Sequence, residues 1–173
     1  LEDGTNFTVH WEQGVIMASC WAEDVWHTDG LFMYPAENGN DVAFTYQAPR
    51  DGVLDLDLTD AGIWADSDDT KLGLAVYKND VQIWPESGVY SAARDAGSND
   101  EKALGLDKLT TAVRAGDELH VRASQVSVAG DYSLRVLPSA QYTSLVYDET
   151  LDKEYQFNSV AEYSFHQKFS DTQ

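Results

Sequence analysis

Apolar and polar side chains alternate along much of the chain, and this period of two is typical of half-buried β-strands. Helical periodicity is scarce, so the sequence predicts an all-β fold. The side chains expected to point into the core are Val42, Phe44, Tyr46, Ala48, Leu54, Leu56, Leu58, Leu72, Leu74, Val76, Leu119, Val121, Ala123, Tyr132, Leu134 and Val136.

Turn signals separate these stretches about every ten residues, among them "RDG", "KND" and two "AGD" sequences. The segment "LGLAVYKNDVQIWP" therefore predicts a β-hairpin. Many short alternating strands at this spacing are typical of an antiparallel β-sandwich of the jelly-roll type. The polar interval "SAARDAGSNDEKALG" predicts a long loop with room for one helical turn.

With 173 residues, the chain is long enough for one domain and a short extension. We assign residues 1–147 to the sandwich and residues 148–173 to C-terminal edge strands or to a linker that leads to a following module. The chain starts without Met, has no signal peptide in its first residues, and stops within the polar phrase "FSDTQ". These features predict a module of a larger protein.

The chain is strongly acidic, with 30 Asp plus Glu against 11 Lys plus Arg and a formal net charge of −19. Such a charge repels phosphate backbones and argues against nucleic-acid binding. The same charge disfavours binding of polyanionic glycans. The alternative interpretation is that the acidity only makes the protein soluble. The single cysteine, Cys20, lies in apolar surroundings and is expected to be a buried thiol. No apolar run is long enough to insert into a membrane.

Three phrases in order, "DVAFTYQAPRDGVLDLDL", "TKLGLAVYKNDVQIWP" and "VRAGDELHVRAS…GDYSLRV", resemble a β-sandwich module of large secreted bacterial proteins. The usual pattern of that module is F-x-A-P-x-D/E-G, then V-x-I-x-K-N-(x)-I-W-P, then V-x-A-G-D-x-I-x-F. The resemblance covers residues 41–138. It implies a carbohydrate-binding-module-like domain of a multi-modular secreted or cell-surface protein. The terminal "YSFHQKFSDTQ" resembles the first residues of another such module.

Sugar binding needs a flat aromatic ring to stack on a pyranose and Asp or Asn side chains to hold its hydroxyls. Trp64 is the first candidate ring, because it stands among aspartates between predicted strands; the alternative is that it caps one end of the sandwich. Trp84 is interpreted as structural, since it belongs to the family-like "IWP" phrase. The predicted carbohydrate-binding residues are Trp64, Trp26, Tyr90, Asp60, Asp66 and Asp68.

Carbohydrate modules of this kind often hold a structural calcium, and here Asp66, Asp68 and Asp69 would be its ligands. The acidic loop lacks the spacing of a helix-loop-helix calcium site, and a hydrated loop is the alternative. No catalytic motif for acyl transfer, metal-dependent hydrolysis or phosphate binding is found. We therefore predict no catalytic residues and no other cofactor.

The sequence favours a non-catalytic carbohydrate-binding module that holds its parent protein on an extracellular, neutral polysaccharide. A starch-like α-glucan and a plant β-glucan or hemicellulose both remain open. The alternatives are a structural or adhesive spacer of a bacterial surface protein and, behind it, a jelly-roll glycoside hydrolase or lyase. The expected partners are a polysaccharide or oligosaccharide and neighbouring modules of the same chain, outside the cell or on the bacterial surface.

Overall fold

The protein is described by a computed structural model that covers residues 31–35 and 41–155 in full, and the backbone of residues 7–10, 15–17, 20–22 and 25–27. All strand pairs in these residues are antiparallel. The strands are β1 (Phe7–His10), β2 (Val15–Met17), β3 (Cys20–Ala22), β4 (Val25–His27), β5 (Leu31–Tyr34), β6 (Val42–Gln47), β7 (Gly52–Asp57), β8 (Gly62–Ala65), β9 (Lys71–Lys78), β10 (Val81–Trp84), β11 (Tyr90–Ala93), β12 (Lys102–Ala103), β13 (Leu109–Val113), β14 (Glu118–Ser127), β15 (Tyr132–Val136) and β16 (Ser139–Ser144).

The strands form a β-sandwich, as the sequence predicts. One layer is the sheet β1-β6-β14-β9-β10, with β11 also paired to β9. The opposite layer contains the sheets β12-β8-β15-β5-β2 and β13-β7-β16. Neighbours in each sheet are mostly distant in sequence, so the chain crosses repeatedly between the layers. A separate pair, β3-β4, completes the described strands.

The core lies between the layers and draws side chains from all three large sheets. Every side chain predicted to point inward is buried there, except Tyr132, which is half-buried and packs against the core. The period-two pattern therefore assigned the faces of these strands correctly. Burying so many aliphatic and aromatic side chains is the main source of stability in a fold of this kind.

Two strands pair in succession with the same edge of β9. The predicted hairpin is confirmed, because β10 pairs with residues 76–78 of β9. Further along the same edge, β11 pairs with residues 71–74. The interval predicted as a long loop thus begins within β11 and also contains β12, which pairs with β8. These short strands were not predicted, because the polar residues of the interval are typical of a loop.

The end of the described chain packs against the sandwich. After β16, which pairs with β7, a short 3₁₀ helix spans Glu149–Leu151 and is capped by the side chain of Asp148. Asp152 follows and is buried. Of residues 148–173, predicted to be edge strands or a linker, residues 148–155 are described and contain no strand, and residues 156–173 lie outside the described residues.

Candidate functional site

A cleft of about 310 Å³ opens where the two layers meet beside the end of β10. One wall comes from β10 and β11, and the other comes from the end of β7 and the segment that leads into β13. Its floor is apolar and its rim carries charged side chains. The lining residues are Leu58, Trp84, Tyr90, Gly105, Leu106, Asp107, Lys108 and Leu109.

Two aromatic rings form the first wall of the cleft. Trp84 pairs with Val76, and Tyr90 pairs with Leu74, so consecutive inward positions of β9 place the two rings side by side. The rings stack with their centroids 5.6 Å apart and their planes inclined by 26°. Both are half-buried and pack against the core, which fixes their orientation while ring surface remains in the cleft.

The turn between the two rings is held by the side chain of Gln82. Its amide nitrogen donates to the carbonyl oxygens of Pro85, at 2.7 Å, and Gly88, at 2.8 Å. The Tyr77 hydroxyl donates to the Gln82 amide oxygen at 2.9 Å and orients the side chain. These bonds limit the freedom of the turn, so the spacing between Trp84 and Tyr90 is set before any ligand arrives.

The second wall is attached to the first by a hydrogen bond from the Tyr90 hydroxyl to the carbonyl oxygen of Leu104, at 3.1 Å. Leu104 also donates its backbone N–H to the carbonyl oxygen of Ala61 at 2.8 Å, which ties this wall to the segment between β7 and β8. Gly105 follows with φ +62°, and open space lies where its Cβ would be. A glycine accepts this left-handed conformation without steric cost and leaves the cleft wide at that point.

An ion pair stands at the rim, between the Lys108 ammonium and Asp57 Oδ2 at 3.0 Å. The other oxygen of Asp57 accepts hydrogen bonds from the N–H of Thr59, at 3.0 Å, and from its hydroxyl, at 2.6 Å. The bonds from Thr59, with a smaller contribution from Lys108, lower the pKa of Asp57. The bond to Asp57 in turn raises the pKa of Lys108. Asp107 is exposed beside this pair.

Trp64 lies in strand β8 rather than between strands, and it is half-buried. Its ring packs with Tyr34 against Phe32 in a small cluster separate from the main core. The indole Nε1–H donates to the carbonyl oxygen of Asn99 at 2.9 Å. The prediction that Trp64 lies between strands is therefore wrong: pairing of β8 with β12 and β15 extends the strand through it.

Trp64 and Tyr90, predicted to flank one site, belong to different clusters. Tyr90 packs on the main core with Trp84, whereas Trp64 packs against Phe32. Trp26 is in β4, paired with Trp21, and its side chain lies outside the described residues. The described side chains of Trp64 and Tyr90 thus do not lie in one cluster. The grouping of Trp26 with either ring stays a prediction.

The predicted aspartates Asp60, Asp66 and Asp68 are exposed, and none of them lines the cleft. Asp68 Oδ1 accepts hydrogen bonds from Arg94 Nε, at 2.6 Å, and from the Gly97 N–H, at 3.0 Å. These two bonds lower the pKa of Asp68, with the Gly97 N–H making the larger contribution. Asp68 thus anchors the loop after β11.

Within residues 31–35 and 41–155, no group of three or more His, Cys, Asp or Glu side chains is arranged to hold a metal ion. Asp66, Asp68 and Asp69 are exposed in the turn after β8 and do not form such a group.

Sequence reasoning did not place Trp84 or Lys108 in a site, nor Asp57, which pairs with Lys108 at the rim of the cleft. The "IWP" phrase led to the interpretation of Trp84 as structural. Its ring does pack on the core, but it also lines the cleft. Lys108 and Asp57 are brought together by the pairing of β13 with β7. The one available signal was the outward position of Asp57 on its strand, which marks a side chain free to pair at the surface.

Comparisons with known proteins include a structural likeness. No family model matches the chain, and no curated protein matches it in sequence. Among solved structures, a native family 35 carbohydrate binding module from Clostridium thermocellum is similar, with 15% identity and a TM-score of 0.37. The match covers 78% of this chain and 96% of that chain. A likeness this small assigns no function to the protein.

No helix among the described residues has both the length and the apolar character needed to span a membrane.

Proposed function

We propose that this protein is a non-catalytic carbohydrate-binding module, and that the cleft beside Trp84 and Tyr90 holds a neutral glycan. The observation that carries the proposal is the stacked pair of rings on one wall of an apolar cleft with charged groups at its rim. Aromatic rings favour the C–H face of a pyranose, and polar groups at the edge accept or donate to its hydroxyls.

The dimensions of the cleft agree with this role. Its volume of about 310 Å³ is at the lower end of the range of ligand pockets, roughly 300–1,000 Å³. It fits a short part of a glycan, on the order of one or two sugar rings, better than a long chain. The two rings are already fixed by the core and by Gln82, so binding costs little ordering of aromatic side chains.

The charges in the cleft favour binding over catalysis. A glycoside hydrolase of the usual kind needs two carboxyl groups across the bond to be cleaved, one of them with a raised pKa. Of the described residues that line the cleft, Asp107 alone carries a carboxyl group. Asp57, a carboxylate at the rim, has a lowered pKa, pairs with Lys108 and accepts a hydrogen bond from Thr59.

The proposal extends to the surroundings of the protein. The glycan would be a starch-like α-glucan or a plant β-glucan or hemicellulose, outside the cell or at a bacterial surface. The module would hold its parent chain on that glycan. These assignments rest on the sequence resemblance and on the acidity of the chain.

Affinity electrophoresis in native gels tests the proposal, because a net charge of −19 gives the protein high mobility. Gels would contain soluble starch, barley β-glucan or xylan. We expect retardation by one of them and its loss in Trp84→Ala, with affinity reduced at least about 30-fold, as for a central aromatic anchor. Trp84→Phe should retain part of the affinity.

The matched control is Trp64→Phe, which changes an indole in the other cluster and should leave retardation intact. Circular dichroism confirms that each variant is folded. A wild type that no glycan retards would favour the spacer alternative, and release of reducing sugar would favour the enzyme. Retardation lost in Trp64→Phe but kept in Trp84→Ala would move the site to Trp64.

A further inference from the structure

The rim of the cleft carries a cation that is already neutralised. Among the described residues that line the cleft, Lys108 is the one cationic side chain. Its ammonium lies 3.0 Å from Asp57 Oδ2. Any carboxylate on a ligand that approached Lys108 would therefore have to compete with a carboxylate of the protein.

Asp57 is the fixed member of this pair. Its side chain is 25% exposed, whereas that of Lys108 is 52% exposed. Two hydrogen bonds from Thr59 hold its other oxygen, and β7 is paired on both sides, with β13 and with β16. Lys108 stands in the segment before β13 and is the more exposed partner, so the position of the pair is set by Asp57.

A second acidic side chain on this face, Asp55, also helps to neutralise the Lys108 ammonium. Asp55 is two residues before Asp57 and so lies on the same face of β7. Its carboxylate accepts a hydrogen bond from the Thr110 hydroxyl at 2.6 Å. An ammonium beside these two carboxylates attracts further anions weakly, because the local field around it is already cancelled.

We infer that Asp57 is a specificity-determining residue that makes the cleft select neutral sugars over uronates, by holding the Lys108 ammonium. This inference rests on the proposed function of the cleft. Lys108 keeps N–H groups that can donate to a sugar hydroxyl, and such hydrogen bonds do not require an unpaired charge. Without Asp57, the same ammonium would be an available partner for the carboxylate of a uronate.

The overall acidity of the chain provides a rival explanation for the same preference. The two explanations differ in the distance over which the charges act on the bound sugar. At physiological ionic strength, exposed charges farther apart than about 8 Å are largely screened, so the sum of distant carboxylates acts weakly on a bound sugar. A contact pair acts only through its own two residues, and removing another aspartate should not reproduce its effect.

The test compares Asp57→Asn with the wild type on two forms of one glycan. The probes are the neutral glucan that the wild type retains and the same glucan after oxidation of its C6 hydroxyls to carboxylates. If the wild type retains xylan instead, glucuronoxylan replaces the oxidised form. Asparagine keeps a side-chain oxygen for Thr59, so the turn after β7 is preserved. Affinities are measured by calorimetry at low and high NaCl.

We expect Asp57→Asn to raise the ratio of uronate to neutral affinity about five- to tenfold at low salt, and less at high salt. The matched control is Asp95→Asn, which breaks another exposed pair, with Lys102 at 2.9 Å, away from the cleft. It should change the ratio less than about twofold. The double variant Asp57→Asn/Lys108→Gln should return the ratio to the wild-type value.

An unchanged ratio in Asp57→Asn, while the wild type binds its neutral glycan, overturns the inference and leaves the proposed function standing. An equal rise in Asp95→Asn overturns it in favour of overall charge. A wild type that prefers the oxidised glycan also overturns it. A wild type that binds neither form removes the proposed function, and the inference with it.

Discussion

The ammonium of Lys78 lies 2.8 Å from both carboxylate oxygens of Asp152, and the two residues are only 1% and 5% exposed. Asp117 approaches the same ammonium at 3.1 Å and Glu154 at 3.6 Å. Lys78 ends β9, and Asp152 follows the 3₁₀ helix near the end of the described chain. The pair therefore joins this last segment to the six-stranded sheet.

Replacing Asp152 with Asn should destabilise the protein by about 3 kcal/mol, because it leaves a buried ammonium with weaker compensation. The remaining carboxylates of Asp117 and Glu154 keep the cost at the lower end of the range for a broken buried pair. The free energy of unfolding, measured by urea denaturation, checks this value. Asp80→Asn, an exposed aspartate two residues from Lys78, is the control and should change it by less than about 0.5 kcal/mol.

The same pair predicts a dependence of stability on acid pH. Burial alone would raise the pKa of Asp152, but hydrogen bonds from Lys78 and Tyr147 outweigh it, and the pKa lies below its ordinary value of 3.8. A lowered pKa means that the contribution is complete above the ordinary value and is lost as the pH falls through the lowered one.

The difference in unfolding free energy between the wild type and Asp152→Asn should therefore be constant from pH 7 to about pH 5 and shrink below about pH 4. Taking the difference removes the general effect of neutralising an acidic surface. Urea denaturation at closely spaced pH values measures it. A difference that persists undiminished at pH 2.5 would contradict the role given to the Asp152 carboxylate.

Alternation in the sequence was sufficient to predict the faces of the long strands. Phe44, Leu56 and Leu74 are inward because side chains of a paired strand point alternately to the two faces, and only one face meets the core. That rule is local, and it works wherever one layer of the sandwich covers the strand. It also identified the hairpin, whose turn residues adjoin its strands.

The ion pair of Lys78 could not be predicted from the sequence, because its partner is 74 residues away. The "KND" phrase indicated an exposed turn, and only packing of the C-terminal segment buries the lysine. The cleft depends in the same way on β10 and β11 sharing one edge of β9. Trp84 and Tyr90 meet because of that pairing, whereas the polar residues around Trp64 suggested exposure.

Trp64→Phe should lower stability by about 1 kcal/mol without weakening glycan binding. The substitution removes the hydrogen bond from Nε1 to the carbonyl oxygen of Asn99, while the smaller ring still packs near Phe32. Thermal melting and affinity electrophoresis on the same variant check the two parts. Loss of binding in a folded Trp64→Phe protein would show that this ring, and not only the cleft, contacts the glycan.

Gly52→Ala should destabilise the protein by well over 2 kcal/mol. A Cβ at Gly52 would collide with the backbone carbonyl oxygen of Ser144 in the neighbouring strand β16, and a backbone atom cannot move aside cheaply. Gly88→Ala is the control: its φ of +66° carries a cost of about 1 kcal/mol, but open space surrounds the new methyl group. Urea denaturation compares them, and equal losses would contradict the steric explanation.

Tyr90→Phe should weaken glycan binding about fivefold while it keeps the stacked ring. It removes the hydroxyl that donates to the Leu104 carbonyl oxygen, and with it the bond that joins the two walls of the cleft. Tyr142→Phe is a matched control, since the Tyr142 hydroxyl also donates to a backbone carbonyl, that of Arg50, at 2.7 Å. Each variant should lose about 1 kcal/mol of stability.

Calorimetric titration with the retained glycan separates the two tyrosine variants, because only Tyr90 lines the cleft. A decrease in affinity confined to Tyr90→Phe would support positioning of the second wall by this hydroxyl. Equal affinities in both variants and the wild type would mean that the stacked rings act without the bond to Leu104. A decrease shared by both would trace the effect to a general change in the sandwich and not to the bond to Leu104, since Tyr142 does not line the cleft.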